Sequence, residues 1–173
     1  MSTTQSGEAE VLAILQERLE RPPIFSFLSG VAYALERRLL ESEDVKSTQV
    51  SIPLDRYDGS LPTDIKSSWV FVLRKDHPHE AERHPNSIQR MFALDTAGAM
   101  EVWRDDAWRR EPLFPGAKRS GLSIPALAWH RPATLDHTWA VVSFHTVAAA
   151  DLIEETGDPL HQIASAERRY ERV

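Results

Sequence analysis

The sequence predicts a mainly β domain, a small sandwich or barrel, with helices at both ends. Three observations carry this. Helical periodicity is confined to about residues 8–46 and a short stretch after residue 147. Between them, short apolar or alternating runs are cut by frequent turn residues, the pattern of an all-β sandwich or barrel. All five tryptophans and six of the seven histidines fall in that middle region, so core and site are expected together.

Residues 1–7 read as a disordered lead. Val11, Leu12, Ile14, Leu15 and Leu19 then recur at helical spacing until Pro22-Pro23 stops the pattern. A second stripe follows in Phe27, Leu28, Val31, Leu35 and Leu39, with Glu36, Arg37, Arg38 and Glu41 off it. Residues 1–46 are therefore expected to form a helical extension. From about residue 47 the period becomes two. Gln49–Ile52, Trp69–Leu73, Met91–Leu94, Met100–Arg104, Leu122–Ile124 and Trp139–His145 read as strands. Arg56–Ser60, Asp105-Asp106 and Pro115-Gly116 read as turns. The barrel is expected over 47–147. Over 148–173, Ala148–Glu155 reads as a helix stopped by Gly157 and Pro159, then a charged surface helix or frayed tail.

The chain has 173 residues and a net charge of −6 with acids and bases interspersed, which argues against nucleic acid as a partner. It has no cysteine, which excludes disulfides, thiolate metal sites and a cysteine nucleophile. No apolar run approaches a membrane span, and Met1–Glu8 lacks the features of a signal peptide, so the expected location is cytoplasmic.

The polar segment His84–Arg90 leads straight into Met91-Phe92-Ala93-Leu94. If the strand already runs at His84, then His84, Asn86, Ile88 and Arg90 share one face and Gln89 lies on the other. Buried polar groups need partners, so such a face implies a wet or ligand-filled space. Arg90 would then grip an anionic ligand or form a structural ion pair, with Glu101 or Asp95 as the acid. His77 and His79, beside Glu80 and Glu82, read as a solvated loop; so does His137 beside Asp136.

His84…Gly98 and Pro125-Ala126-Leu127-Ala128-Trp129-His130 resemble the two motifs of the cupin superfamily. The first motif runs His-x-His, three or four residues, Glu, six residues, Gly; the second is Pro-x-Gly-x-x-His. Here His84 falls at the first histidine, Asn86 at the second, and Arg90 at the glutamate. Pro125 and His130 match the second motif, and Leu127 replaces its glycine. The resemblance implies a double-stranded β-helix (jelly-roll) barrel with a divalent metal in its mouth. Arginine cannot ligate a metal. His145, in phase with Val141 and Ser143, is the expected third imidazole beside His84 and His130, a set that suits zinc, iron or nickel. His130 or His84 would serve as general base or metal ligand, Arg90 would orient a substrate carboxylate, and Asn86 or Gln89 would join them in binding ligand. The expected function is to bind a small molecule, an anionic one if Arg90 grips it, either as an enzyme acting on a small organic acid or polar metabolite or as a non-catalytic ligand-binding or sensor protein; a structural or dimeric protein whose barrel is merely filled is the third reading. A homodimer is expected.

Overall fold

A computed structural model describes residues 3–116, 120–161 and 163–169. Among them are two helices, α1 (Thr3–Glu20) and α2 (Pro22–Leu40), and eleven strands. The strands are β1 (Ser47–Ser51), β2 (Ser67–Leu73), β3 (Ala81–Arg83), β4 (Gln89–Ala93), β5 (Gly98–Arg104) and β6 (Ala107–Leu113). They continue as β7 (Leu122–Ile124), β8 (His130–Pro132), β9 (Trp139–His145), β10 (Ile153–Asp158) and β11 (Ile163–Arg169). The helix begins at Thr3, so the expected disordered lead is helical from there; residues 1–2 lie outside the described residues. No described helix is long and apolar enough to cross a membrane.

The molecule has three layers. A five-stranded sheet, in the order β1-β2-β9-β4-β7, lies between the helices and a six-stranded sheet, β11-β10-β3-β8-β5-β6. Residues two apart on a strand share a face, and the register shows which layer each face meets. On β9, Val142 and Phe144 turn towards the helices with Val70, Val72 and Phe92, and Leu15, Leu19, Leu28, Leu35 and Leu39 close over them. Trp139 and Val141 turn the other way, into an apolar cluster with Met91, Met100, Val102, Leu113 and Ile124 between the sheets. Each fully buried leucine or phenylalanine contributes about 1.5–3 kcal/mol relative to exposure. Along the strands Trp69, Val72, Phe92, Leu94, Val102, Ile124, Val142 and Phe144 are buried, and Phe71 is half-buried.

Local chemistry fixes the joints. Pro22 and Pro23 open α2, where missing N–H groups cost nothing. Arg74 ties down the far end of that helix, donating to the carbonyls of Leu39, Ser42 and Val45. Asp105 and Asp106 both take positive φ, 50° and 56°, in the two-residue turn of the β5–β6 hairpin.

The C-terminal segment departs from expectation. Ala148–Glu155 is not an α-helix: a single 3-10 turn at Ala149–Asp151 leads into β10. The charged tail forms β11 instead of a surface helix; residues 162 and 170–173 lie outside the described residues. The local helical pattern is overridden by pairing, because β10 hydrogen-bonds β3 on one side and β11 on the other.

Candidate metal centre

Glu82 and His130 are direct cross-strand partners on β3 and β8, facing the space between the sheets with Val102. His84 follows Glu82 by two residues and shares its side. The ligand atoms of Glu82, His84 and His130 all lie within 4.8 Å of one another. His84 and His130 are buried, and their ring centroids are 5.5 Å apart.

Hydrogen bonds set the tautomers. His84 Nδ1–H donates to the Ile153 carbonyl at 2.9 Å, and His130 Nδ1–H donates to the Ala128 carbonyl at 2.9 Å. Each bond leaves Nε2 as a lone-pair donor, the arrangement by which outer partners orient metal-binding imidazoles. Among the described residues His130 Nε2 is buried without a hydrogen-bond partner, and it stands 3.4 Å from Glu82 Oε1. An orphaned buried nitrogen beside a carboxylate is costly unless something sits between them. Two imidazoles and one carboxylate are a donor set that suits iron(II) or zinc.

The electrostatics agree. Burial, with the charge of His130, pushes the His84 imidazole down to about 4, against the pull of Glu82. Burial drives Glu82 upward, but the neighbouring imidazole of His130, with His84 and Arg168, holds its carboxyl below the usual range. A neutral imidazole and an ionised carboxylate are the forms in which His84 and Glu82 would hold a metal.

His145, at the end of β9, packs edge-on against His84 at a centroid distance of 5.0 Å. It belongs to the same polar interior but not to the triad. Its Nδ1 lies 3.3 Å from Ser87 Oγ and its Nε2 3.3 Å from Ser143 Oγ. Complete burial, then the charges of His84 and His130, hold it well below the ordinary histidine range. Gln89 pairs with His145 across the strands, and its buried Oε1 also lacks a partner among the described residues.

Arg90 does not join this cluster. The strand begins at Gln89, after a turn at Pro85–Ile88, so the parity counted from His84 is broken. Gln89 faces the inter-sheet space, while Arg90 faces α1 beside Phe144 and Ser123. There Arg90 is 2% exposed and bonds Glu8 through Nε at 2.7 Å and Nη2 at 2.8 Å, and Asp64 at 2.8 Å. Its acids are Glu8 and Asp64, not Glu101 or Asp95. Arg90 thus forms the structural ion pair, on the face of its sheet away from the triad. Asn86 is exposed and joins the turn to Asp151 and Ile153 by two backbone hydrogen bonds; it does not face the triad.

Sequence reasoning missed Glu82, assigning it to a solvated loop. The available signal was its i, i+2 spacing from His84. Sliding the first motif back by two residues puts Glu82 at the first histidine, His84 at the second and Gln89, after four residues, at the glutamate. The solvated-loop expectation also fails at His79. It is half-buried and lines a cleft of about 300 Å³ with Lys46, Glu80, Glu82, Glu154 and Arg168. Burial pushes its imidazole down against the pull of Glu82, while Lys46 and His77 add to the fall. In the second motif Leu127, where the glycine was expected, takes a φ of +67° and donates its N–H to the His84 carbonyl at 3.0 Å. A left-handed leucine costs about 1–2 kcal/mol, which shows why glycine suits this turn.

No family model matches the sequence, and no curated protein matches it. Solved structures do. The coconut allergen cocosin matches with a TM-score of 0.51 and 17% identity over 69% of this chain and 31% of that one. The fold is cupin-like. A mutant of Bacillus subtilis oxalate decarboxylase matches with a TM-score of 0.50 and 14% identity, again over 69% of this chain and 31% of that one. This chain spans under a third of each of those proteins. In the cupin-like frame the triad lies between the two sheets, bounded by β3 and β8 on one side and the end of β9 on the other.

Proposed function

We propose that this cupin-like protein binds one divalent transition metal through Glu82, His84 and His130 and uses it to act on a small organic acid. The observation that carries the reading is the convergence of two imidazoles, each bonded to a backbone carbonyl through Nδ1, on one carboxylate, with His130 Nε2 buried and unpaired among the described residues. The ion, iron(II), zinc or nickel, would supply Lewis acidity to a bound oxygen. The protein's own groups do the rest. The cleft opens on Glu82, and Lys46 and His79 at its lining offer a cation and a proton carrier to an incoming carboxylate. His145 and its serines fill the space behind His84 and hold that ring in place. Oxalate is the first substrate to test, because an oxalate decarboxylase shares the fold.

A non-catalytic sensor that uses the same centre is the second reading. What favours it is Gln89, a neutral amide at the motif's glutamate position, which supplies no acid or base. We further propose that the two sheets form a double-stranded β-helix and that the protein is a homodimer. The test of the centre is elemental analysis of purified protein. One equivalent of iron, zinc or nickel is expected, and His130→Ala should lose it with the fold intact by circular dichroism. Wild-type protein that stays metal-free after incubation with each ion would remove the reading. With the metal in place, oxalate turnover separates enzyme from sensor.

A further inference from the structure

The outer face of the six-stranded sheet points away from the metal centre, and it carries tryptophans where a solvated face would be polar. Val102 and His130 face inward, so their neighbours Glu101, Trp103 and Arg131 face out, with Trp108 opposite Trp103. The two indoles meet edge to face at 5.3 Å, and the Arg131 guanidinium stacks on Trp108 at 4.2 Å. Two clefts adjoin on this face, of about 250 and 260 Å³, with His79 and Arg131 as their shared wall. One is floored by Trp103 and Trp108; the other is lined by Glu101 and Arg110.

Charge decides what suits them. Arg131 Nε donates to Glu101 at 2.7 Å, and Arg83, stacked on Trp129 at 4.5 Å, bonds Glu155 at 2.6 Å. Across the two clefts the cations Arg110 and Arg131 stand among the acids Glu80, Glu101 and Asp158, so a ligand of either charge gains little net attraction here. What the clefts offer is indole surface beside planar donors and acceptors. A sugar ring presents that complement, with an apolar C–H face and a rim of hydroxyls. Two adjoining clefts suit consecutive rings of a chain. We propose that this face binds a neutral oligosaccharide, with Trp108 and Trp103 as the stacking platform and Arg131, Glu101 and Arg110 bonding hydroxyls. The proposal does not depend on the metal centre.

The test is titration calorimetry and tryptophan fluorescence with cellohexaose, maltohexaose and chitohexaose. At least one should bind with a Kd below about 10 mM and change the indole emission. Trp108→Ala and, at the second cleft, Arg110→Ala should each weaken that binding about tenfold. His137→Ala, remote from the clefts, should not. Circular dichroism and thermal melting establish that each variant folds. Failure of all three saccharides to bind would overturn the proposal, as would binding indifferent to both cleft variants. So would light scattering that shows a dimer split by Trp108→Ala with no saccharide bound, since the face would then be a protein interface.

Discussion

The space between the two sheets has a dry end and a polar end. At the dry end Trp139, Val141, Met91, Met100 and Leu113 interdigitate, and Gly98 lies so close to the Trp139 indole that an added Cβ would stand 2.2 Å from it. At the other end the same strand, β9, turns Ser143 and His145 into the same layer, facing His84 and His130. One strand thus contributes to a packed core and, two residues on, to a cluster of titratable groups. The contrast teaches that stability and chemistry are separated along the strand, not between layers. The dry end gains from every contact, while the polar end keeps His130 Nε2 and Gln89 Oε1, unpaired among the described residues, at a cost in stability.

The dry end should be the more fragile to truncation. Trp139→Ala is expected to destabilise the protein by about 3–5 kcal/mol, because neither the Gly98 cradle nor the stacked strands can collapse into the void. Urea denaturation measures it. A loss below about 1 kcal/mol would mean that this end is loosely packed.

The polar end should be the more sensitive to acid. Folded His84 takes a proton near 4, whereas its ordinary value is 6.5. The unfolded chain therefore binds protons first as pH falls. Stability from this group is complete above about pH 7 and is lost between 6.5 and 4, by about 3 kcal/mol for the metal-free protein. His145, also held low, acts in the same direction, and Glu82 extends the loss below its ordinary 4.5. Denaturation of apo protein across pH 4–8 tests this. The loss should shrink in His84→Phe and persist in Trp139→Ala.

Arg90 sharpens the comparison from outside both ends. Arg90→Ala should lower stability by about 2 kcal/mol, less than a fully buried ion pair would, because Glu8 and Asp64 are 30% and 43% exposed. Metal content should not change. Loss of metal on this substitution would place Arg90 back among the groups that serve the centre.

Periodicity alone located the strong elements. The apolar runs at Trp69–Leu73 and Trp139–His145 became the paired strands β2 and β9, and the two helical stripes became α1 and α2. These segments carry enough hydrophobic pattern to specify their own conformation. Ala148–Glu155 does not: its local spacing suits a helix, and only the edge offered by β3 makes it a strand. Composition also directed attention to the histidines of the β region and, through the motif resemblance, to His84 and His130.

What no local pattern contained was the facing of β4 and the identity of the carboxylate. The turn at Pro85–Ile88 reverses the parity that a continuous strand would give, which sends Arg90 to α1 and Gln89 inward. Glu82 becomes a partner of His130 only because β3 and β8, more than forty residues apart, pair in register. Hydrophobic period is a property of a segment and is written in its residues. Register between distant strands is a property of the whole sheet, set by packing that no single segment encodes. The sequence by itself determined that this is a β protein with buried histidines; the tertiary structure decided which acid meets them.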